Sequence, residues 1–191
     1  MFYDFSHRHT PCLVDSQAEA VVISRESKDK SIIGKEFLYN GLFSPISLVA
    51  RGSMIVATDR FLVQSLRDTV DGDKYCSLIK TNVQINVMRF SQSFDSNDNP
   101  IGAPTFTFVA TGVHGFANFV SARLRQEDPG LLPSTTYTLM LQKSADIKNP
   151  QDDALQAPDR IVMDGRPFQV DSIDHLRYPG LQYVQLSEDT R

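Results

Sequence analysis

"PDRIVMDGRPFQVDSI", residues 158–173, is the stretch whose reading decides the fold. It reads as a strand, a two-residue turn at Asp164-Gly165 and a second strand. Asp-Gly favours the type I′ turn, because both central residues need φ > 0 and the twist of that turn matches the strands it joins. A weaker version, "GSMIVATDRFLVQSL", occupies residues 52–66. Ile55-Val56 corresponds to Ile161-Val162, Thr58-Asp59 to Asp164-Gly165, and Arg60 to Arg166. After one extra residue, Phe61, Val63, Ser65 and Leu66 meet Phe168, Val170, Ser172 and Ile173. Gly72, Tyr75 and Leu78 then fall on Gly180, Tyr183 and Leu186. Thr58-Asp59 suits a type I′ turn poorly, so the first hairpin is expected to close with another loop. The order is hairpin, turn, third strand in both places, which predicts a repeated unit.

Outward from these hairpins, period-two alternation dominates, the signal of half-buried strands. In "VQINVMRFSQSF" (83–94) Val83, Ile85 and Val87 share one face, with Gln84 and Asn86 on the other. "TFTFVATGV" (105–113) is of the same kind. Between them "DSNDNPIGAP" is rich in turn-forming Asp, Asn, Pro and Gly, which predicts a long hairpin with a protruding loop. "AEAVVISRE" (18–26) and "STTYTLMLQ" (134–142) are further strands. In "GFANFVSARLRQED", Phe116, Phe119, Val120 and Leu124 fall on one helical face, and alternation around Val120 and Ala122 also fits a strand. "SADIKNPQDDALQAPD" (144–159) reads as an irregular connection with one helical turn at Asp152 to Leu155. Short strands without βαβ alternation predict a mainly β protein: small antiparallel barrels or sandwiches, two related barrels in tandem with a short helix. The expected division is 1–81, an N-terminal β domain and degenerate repeat, and 82–191, a C-terminal barrel.

With 191 residues, 41% hydrophobic and 22% charged, the composition is that of a soluble globular chain. No apolar run approaches the length of a membrane span. The start, "MFYDFSHRHTPC", lacks the pattern of a signal peptide, so synthesis in the cytoplasm is expected. A net charge of −4 argues against binding nucleic acid through its phosphates. Cys12 and Cys76 read as reduced thiols, with Cys76 a small core residue.

Chemistry is sparse. "HRHTPC" offers two imidazoles and a thiol within six residues, but zinc normally takes four ligands and no second pair accompanies them; a mobile polar N-terminal arm is the plainer reading. His114 reads as a partly buried or surface histidine. Asp171, Ser172, Asp174 and His175 invite a triad, yet neighbours on one strand point to opposite faces. "DSNDNPIG" resembles a calcium loop but lacks the glycine at position six and the glutamate at twelve. No catalytic, cofactor-binding or metal-binding residue is assigned.

The last hundred residues resemble the head-to-tail stopper and connector proteins of tailed bacteriophages. The resemblance rests on the order of a long hairpin (Val83–Phe94 with Thr105–Val113), a short helical or irregular segment, a strand (Thr135–Leu141), the hairpin Arg160–Ile173 and a last strand (Gln182–Leu186). "RIVMDGRPFQVDSIDHLRYPGLQYVQLSED" carries it most strongly. The N-terminal 81 residues depart from the pattern of the simplest stoppers. The resemblance implies a non-enzymatic virion protein: a homo-oligomeric ring in the neck, joining the portal or an adaptor on the head side to a tail terminator or tail tube protein. DNA would pass through without sequence-specific binding, for which acidic charge serves better than a basic groove. No membrane or cofactor is implied. The loop residues Asp95, Asn97, Asp98, Asn99 and Ile101 become candidates for contact with a partner or the lumen, Asp164 and Gly165 are structural turn residues, and Phe43 and Leu131-Leu132 are candidate exposed docking tips. The alternative is a barrel binding a small molecule or carbohydrate, which would want aromatic platforms in a chain without tryptophan. A hydrolase using Ser172 or Cys76 ranks third, and an oligonucleotide-binding barrel last.

Overall fold

The computed structural model describes residues 1–26, 34–151 and 157–191. Among these described residues, twelve strands form two closed antiparallel barrels. The first contains β1 (Thr10–Val14), β2 (Gln17–Arg25), β3 (Leu38–Phe43), β4 (Met54–Val56), β5 (Arg60–Asp68) and β6 (Lys74–Lys80), in the order β1-β2-β3-β6-β5-β4. The second contains β7 (Val83–Phe94), β8 (Pro100–Phe119), β9 (Tyr137–Gln142), β10 (Arg160–Met163), β11 (Arg166–Asp174) and β12 (Leu181–Glu188). Its order, β7-β8-β9-β12-β11-β10, is the same circuit. β1 closes onto β4 and β7 onto β10.

The agreement reaches single residues. Ile55 faces Phe61 as Ile161 faces Phe168. A bulge follows Val63 in β5 and Val170 in β11, and in each case the register resumes at a serine, Ser65 or Ser172. Gly72 and Gly180 both have φ above +80°. Asp164 and Gly165 have φ of 51° and 74°, the type I′ pair expected from the sequence. In the first barrel Val56 pairs with Arg60 across a loop of three residues, and none of them has positive φ.

Inward-facing side chains fill both barrels. Ile85, Val87, Leu139, Ile161, Val170 and Leu186 centre the second core; Val14, Phe43, Ile55, Val63, Cys76 and Leu78 centre the first. Phe43 is therefore wholly buried, contrary to the expectation of an exposed tip. Alternation fails along β3 because both of its faces are covered: Phe43 enters the barrel, while Leu42 packs outside under Phe2. The N-terminus is likewise anchored rather than a mobile arm. Phe2–Arg8 forms a 3-10 segment, Phe2 is 4% exposed, and its backbone N–H donates to Asp73 at 2.7 Å.

A third cluster, Leu62, Ile79, Phe116, Met140, Leu181 and Tyr183, joins the barrels. Each large apolar side chain buried there is worth roughly 1.5–3 kcal/mol relative to exposure. Gly52 and Gly180 meet at the same boundary. A Cβ on Gly52 would lie 2.2 Å from the Gly180 carbonyl oxygen, and both residues have positive φ, so only glycine fits either position. Gln142 bridges the barrels through Nε2 to the Gly52 carbonyl, 3.0 Å away. The ambiguous segment 116–126 resolves into both alternatives. β8 runs through Phe119, then α1 (Ala122–Glu127) starts from Ser121, whose hydroxyl accepts from the Leu124 N–H. Phe116 and Phe119 are thus strand residues, and the helical face drawn through them does not exist. The helical turn expected at Asp152 to Leu155 lies outside the described residues.

Candidate functional site

β7 and β8 run on together after their barrel partners end. β10 pairs with β7 only from Ile85 to Met88, and β9 pairs with β8 only from Phe116 to Phe119. Beyond that, Arg89–Phe94 and the first half of β8 form a two-stranded arm. Its pairs are Arg89 with Thr107, Phe90 with Phe106, Ser91 with Thr105, Ser93 with Ile101 and Phe94 with Pro100. About six residues per strand give an arm on the order of 20 Å long.

Directly paired residues share a face of a β ribbon. One face of the arm therefore carries Phe90, Phe94, Pro100 and Phe106, extended at the root by Met88 and Phe108. Phe94 and Phe108 are 58% and 62% exposed. The opposite face carries Arg89, Ser91, Ser93, Ile101, Thr105 and Thr107, of which Ile101 is 56% exposed. An isolated hairpin of this length is marginal in water, so its order must come from the ends.

At the root, Arg89 makes two 3.1 Å hydrogen bonds to the buried Asp159 carboxylate and a third, of 3.2 Å, to Asp146. Those bonds, from Asp159 first and Asp146 second, raise the guanidinium pKa above its ordinary value. Asp189 is held between Arg160 Nε at 2.8 Å and Arg191 Nε at 2.9 Å. Burial alone would raise the pKa of Asp189; the hydrogen bonds from Arg191 and Arg160 outweigh it and leave the pKa lowered. The Arg160 guanidinium lies 3.6 Å from the Phe106 ring centre, and Phe106 packs edge-on against Phe90 at 5.5 Å. Three arginines thus fix the arm where it leaves the barrel.

The tip is also preformed. Asp95 Oδ1 accepts from the N–H groups of Asn97 and Asn99, both at 2.8 Å, and Oδ2 accepts from Asn99 Nδ2 at 3.0 Å. These bonds lower the Asp95 pKa. Asp98 takes φ of +60° to complete the turn. The turn ends at Asn99, so Ile101 belongs to β8 rather than to the loop in which the sequence placed it. Asp95, Asn97, Asp98, Asn99 and Ile101 are therefore brought together at one end of the arm, while Asp164 and Gly165 close the separate β10–β11 hairpin.

The other chemistry-bearing side chains go separate ways. Asp171 accepts from Ser187 Oγ at 2.8 Å, whereas Asp174 accepts from the Leu176 and Arg177 N–H groups. Ser172 pairs with Gln185 in the sheet. His9 stacks on Phe2 at 4.1 Å, and Cys12 points into the first core. Burial pushes the Cys12 thiol up to about 11 and the Cys76 thiol to about 12. His114 is half-buried, and desolvation lowers its pKa. Among the described residues no three His, Cys, Asp or Glu side chains gather as a metal site, and no helix is long and apolar enough to cross a membrane.

No protein-family model matches the chain, and no curated protein matches it. The surface itself must then carry the functional reading. Besides the arm it offers a cleft of about 210 Å³ between α1 and the sheet, where Arg177 pairs with Asp128 and its guanidinium sits 4.6 Å from the Tyr183 ring. A second cleft, of about 390 Å³, opens beside the N-terminal segment and is bordered by Ile46 and Leu48. Sequence reasoning reached the tip of the arm but missed its aromatic face. The signal was present in the spacing of Phe90, Phe94, Phe106 and Phe108, which places them on one side of the ribbon once the register is known.

Proposed function

We propose that this chain is a non-enzymatic structural protein of a tailed-phage neck, assembled as a ring between the head and the tail. Portal or adaptor would lie on one side, and a tail terminator or tail tube protein on the other. The observation that carries the reading is the arm. It extends beyond the closed circuit of the second barrel, is pinned at root and tip, and presents aromatic side chains to solvent. Rigid apolar projections of this kind mark surfaces that bind other proteins. The second barrel also follows the connector order of long hairpin, short helix, strand, Asp-Gly hairpin and last strand. The acidic residues of the tip suit a position near passing DNA, which they would repel rather than grip.

Electron microscopy of the purified protein mixed with its portal tests the proposal. Annular particles capping the portal are expected. A persistent monomer with no affinity for portal or tail components would overturn it. The ligand-binding alternative is the weaker reading, because both barrel interiors are filled by side chains and a ligand would have to settle in an outer cleft.

A further inference from the structure

We infer that residues 189–191 are a strap that sets the direction of the arm, and that releasing it lets the arm swing on a hinge at its root while both barrels stay closed. The coupling stands on geometry alone; its use in assembly rests on the neck reading.

The hinge lies in the ladder that joins the arm to the barrel. Between the pairs Ile85–Val113 and Val87–Ala110, β8 has one residue more than β7, and it gains another before Met88–Phe108. Both irregularities fall where the ladder to β10 ends, at Met88. Bulges leave backbone groups without ladder partners and bend the strand that carries them. Side chains stand in here. Asn86 Oδ1 accepts from the Gly112 N–H at 2.9 Å, and Gln84 Nε2 donates to the Gly112 carbonyl at 3.3 Å. Gly112 itself has φ of +68°. A ladder interrupted twice between Ile85 and Met88 does not by itself fix the direction of what lies beyond it.

Contacts on both faces of the ribbon fix that direction instead. Arg89, on one face, reaches the Asp159 carboxylate. Phe90 and Phe106, on the other, meet the strap. The Arg191 guanidinium lies 5.6 Å from the Phe106 ring centre and 5.9 Å from that of Phe90. It also donates twice, at 3.1 Å, to the Pro158 carbonyl. The two grips therefore close on consecutive residues, Pro158 and Asp159. Asp189 holds the Arg191 side chain, and Arg160 donates to the Arg191 carbonyl at 2.6 Å.

The strap is built to let go. β12 ends at Glu188, and the sequence Asp-Thr-Arg that follows adds no apolar side chain to either core. Its grip consists of hydrogen bonds, ion pairs and cation–π contacts, which are individually modest where water reaches them. The barrels are held by their apolar interiors, so the strap can open locally without them.

Amide hydrogen exchange, read peptide by peptide on the free protein, tests this with Arg191→Ala and Phe106→Leu, which remove the strap contact from opposite sides. Arg166→Ala, at the exposed β10–β11 turn, is the control. In both strap variants exchange across residues 89–94 and 100–108 is expected to rise about tenfold, with β5, β6 and β9 unchanged. Arm exchange that stays at the wild-type rate would overturn the inference, as would a rise shared by the barrels. Equal loosening in the control would overturn it too. A wild type that fails to bind portal while its arm responds as expected would remove the neck reading and leave the strap standing.

Discussion

The first barrel turns from β1 to β2 on two residues, Asp15 and Ser16, both with positive φ. At the same point of the circuit the second barrel runs out along the arm before returning. The strand order, the bulge and the closing pair are otherwise shared. A barrel of this circuit therefore closes without an arm, and the arm's aromatic face lies beyond the paired strands that close it. A second contrast lies at the β4–β5 and β10–β11 hairpins. The first uses three residues with ordinary backbone, the second two that require φ > 0. Equivalent positions thus carry different backbone demands.

That comparison can be broken in several places. The largest effect is expected where the barrels meet. Gly52→Val places a side chain against the Gly180 carbonyl at positive φ, and it should destabilise the protein by roughly 3–5 kcal/mol in urea unfolding. An unchanged midpoint would mean that the barrels do not touch there. Next come the matched core residues Leu78 and Leu186, both 0% exposed. Leucine-to-alanine changes should cost about 2–5 kcal/mol at each, within about 1 kcal/mol of one another. A large inequality would show that the two cores are not equivalent.

Asp189→Asn acts only on the second barrel. It removes the clamp on Arg160 and Arg191, whose side chains remain 14% and 27% exposed, so a cost of about 1–2 kcal/mol is expected. The sign with pH follows from the lowered pKa of Asp189. Its contribution is fully present above the unfolded value of about 3.9 and is lost as pH falls through the lower folded value. Wild type and variant should converge in acid denaturation; a gap that stays constant down to the lowest pH would contradict the clamp. The smallest of these effects is at the hairpin turns. Gly165→Val should cost about 1–2 kcal/mol, because a β-branched residue is strained at φ of +74°. Thr58→Val, exposed and without positive φ, should change stability by less than about 0.5 kcal/mol. Equal costs would erase the difference between the two turns.

Much of this frame was legible in the residues. The alternating runs gave the strands, Asp164-Gly165 gave the turn type, and the spacing of Val63 and Ser65 against Val170 and Ser172 carried the repeat through a bulge. What escaped was set by tertiary cover. β1 is short, contains Pro11, and directly follows the polar His7–His9 run, which reads as a mobile arm. Phe43 sits beside loop-forming Ser44 and Pro45, and its burial depends on strands far away in the chain. Phe116 and Phe119 fit a helical period by chance; pairing with Met140 and Tyr137 holds them in the sheet. At the candidate site the polar tip was readable from its Asp and Asn residues, whereas the aromatic face needed the cross-strand register.

The central claim is that the arm serves assembly and the barrel does not need it. Replacing Ser91–Thr105 by an Asn-Gly turn between the partners Phe90 and Phe106 would give β7–β8 a turn as short as that of β1–β2 while keeping the clamp at the root. Urea unfolding and sedimentation of that variant together decide the matter. The midpoint should correspond to a loss of less than about 1 kcal/mol, while the large particles expected of the wild type should be lost. Collapse of the fold, or assembly that continues unchanged, would contradict the account.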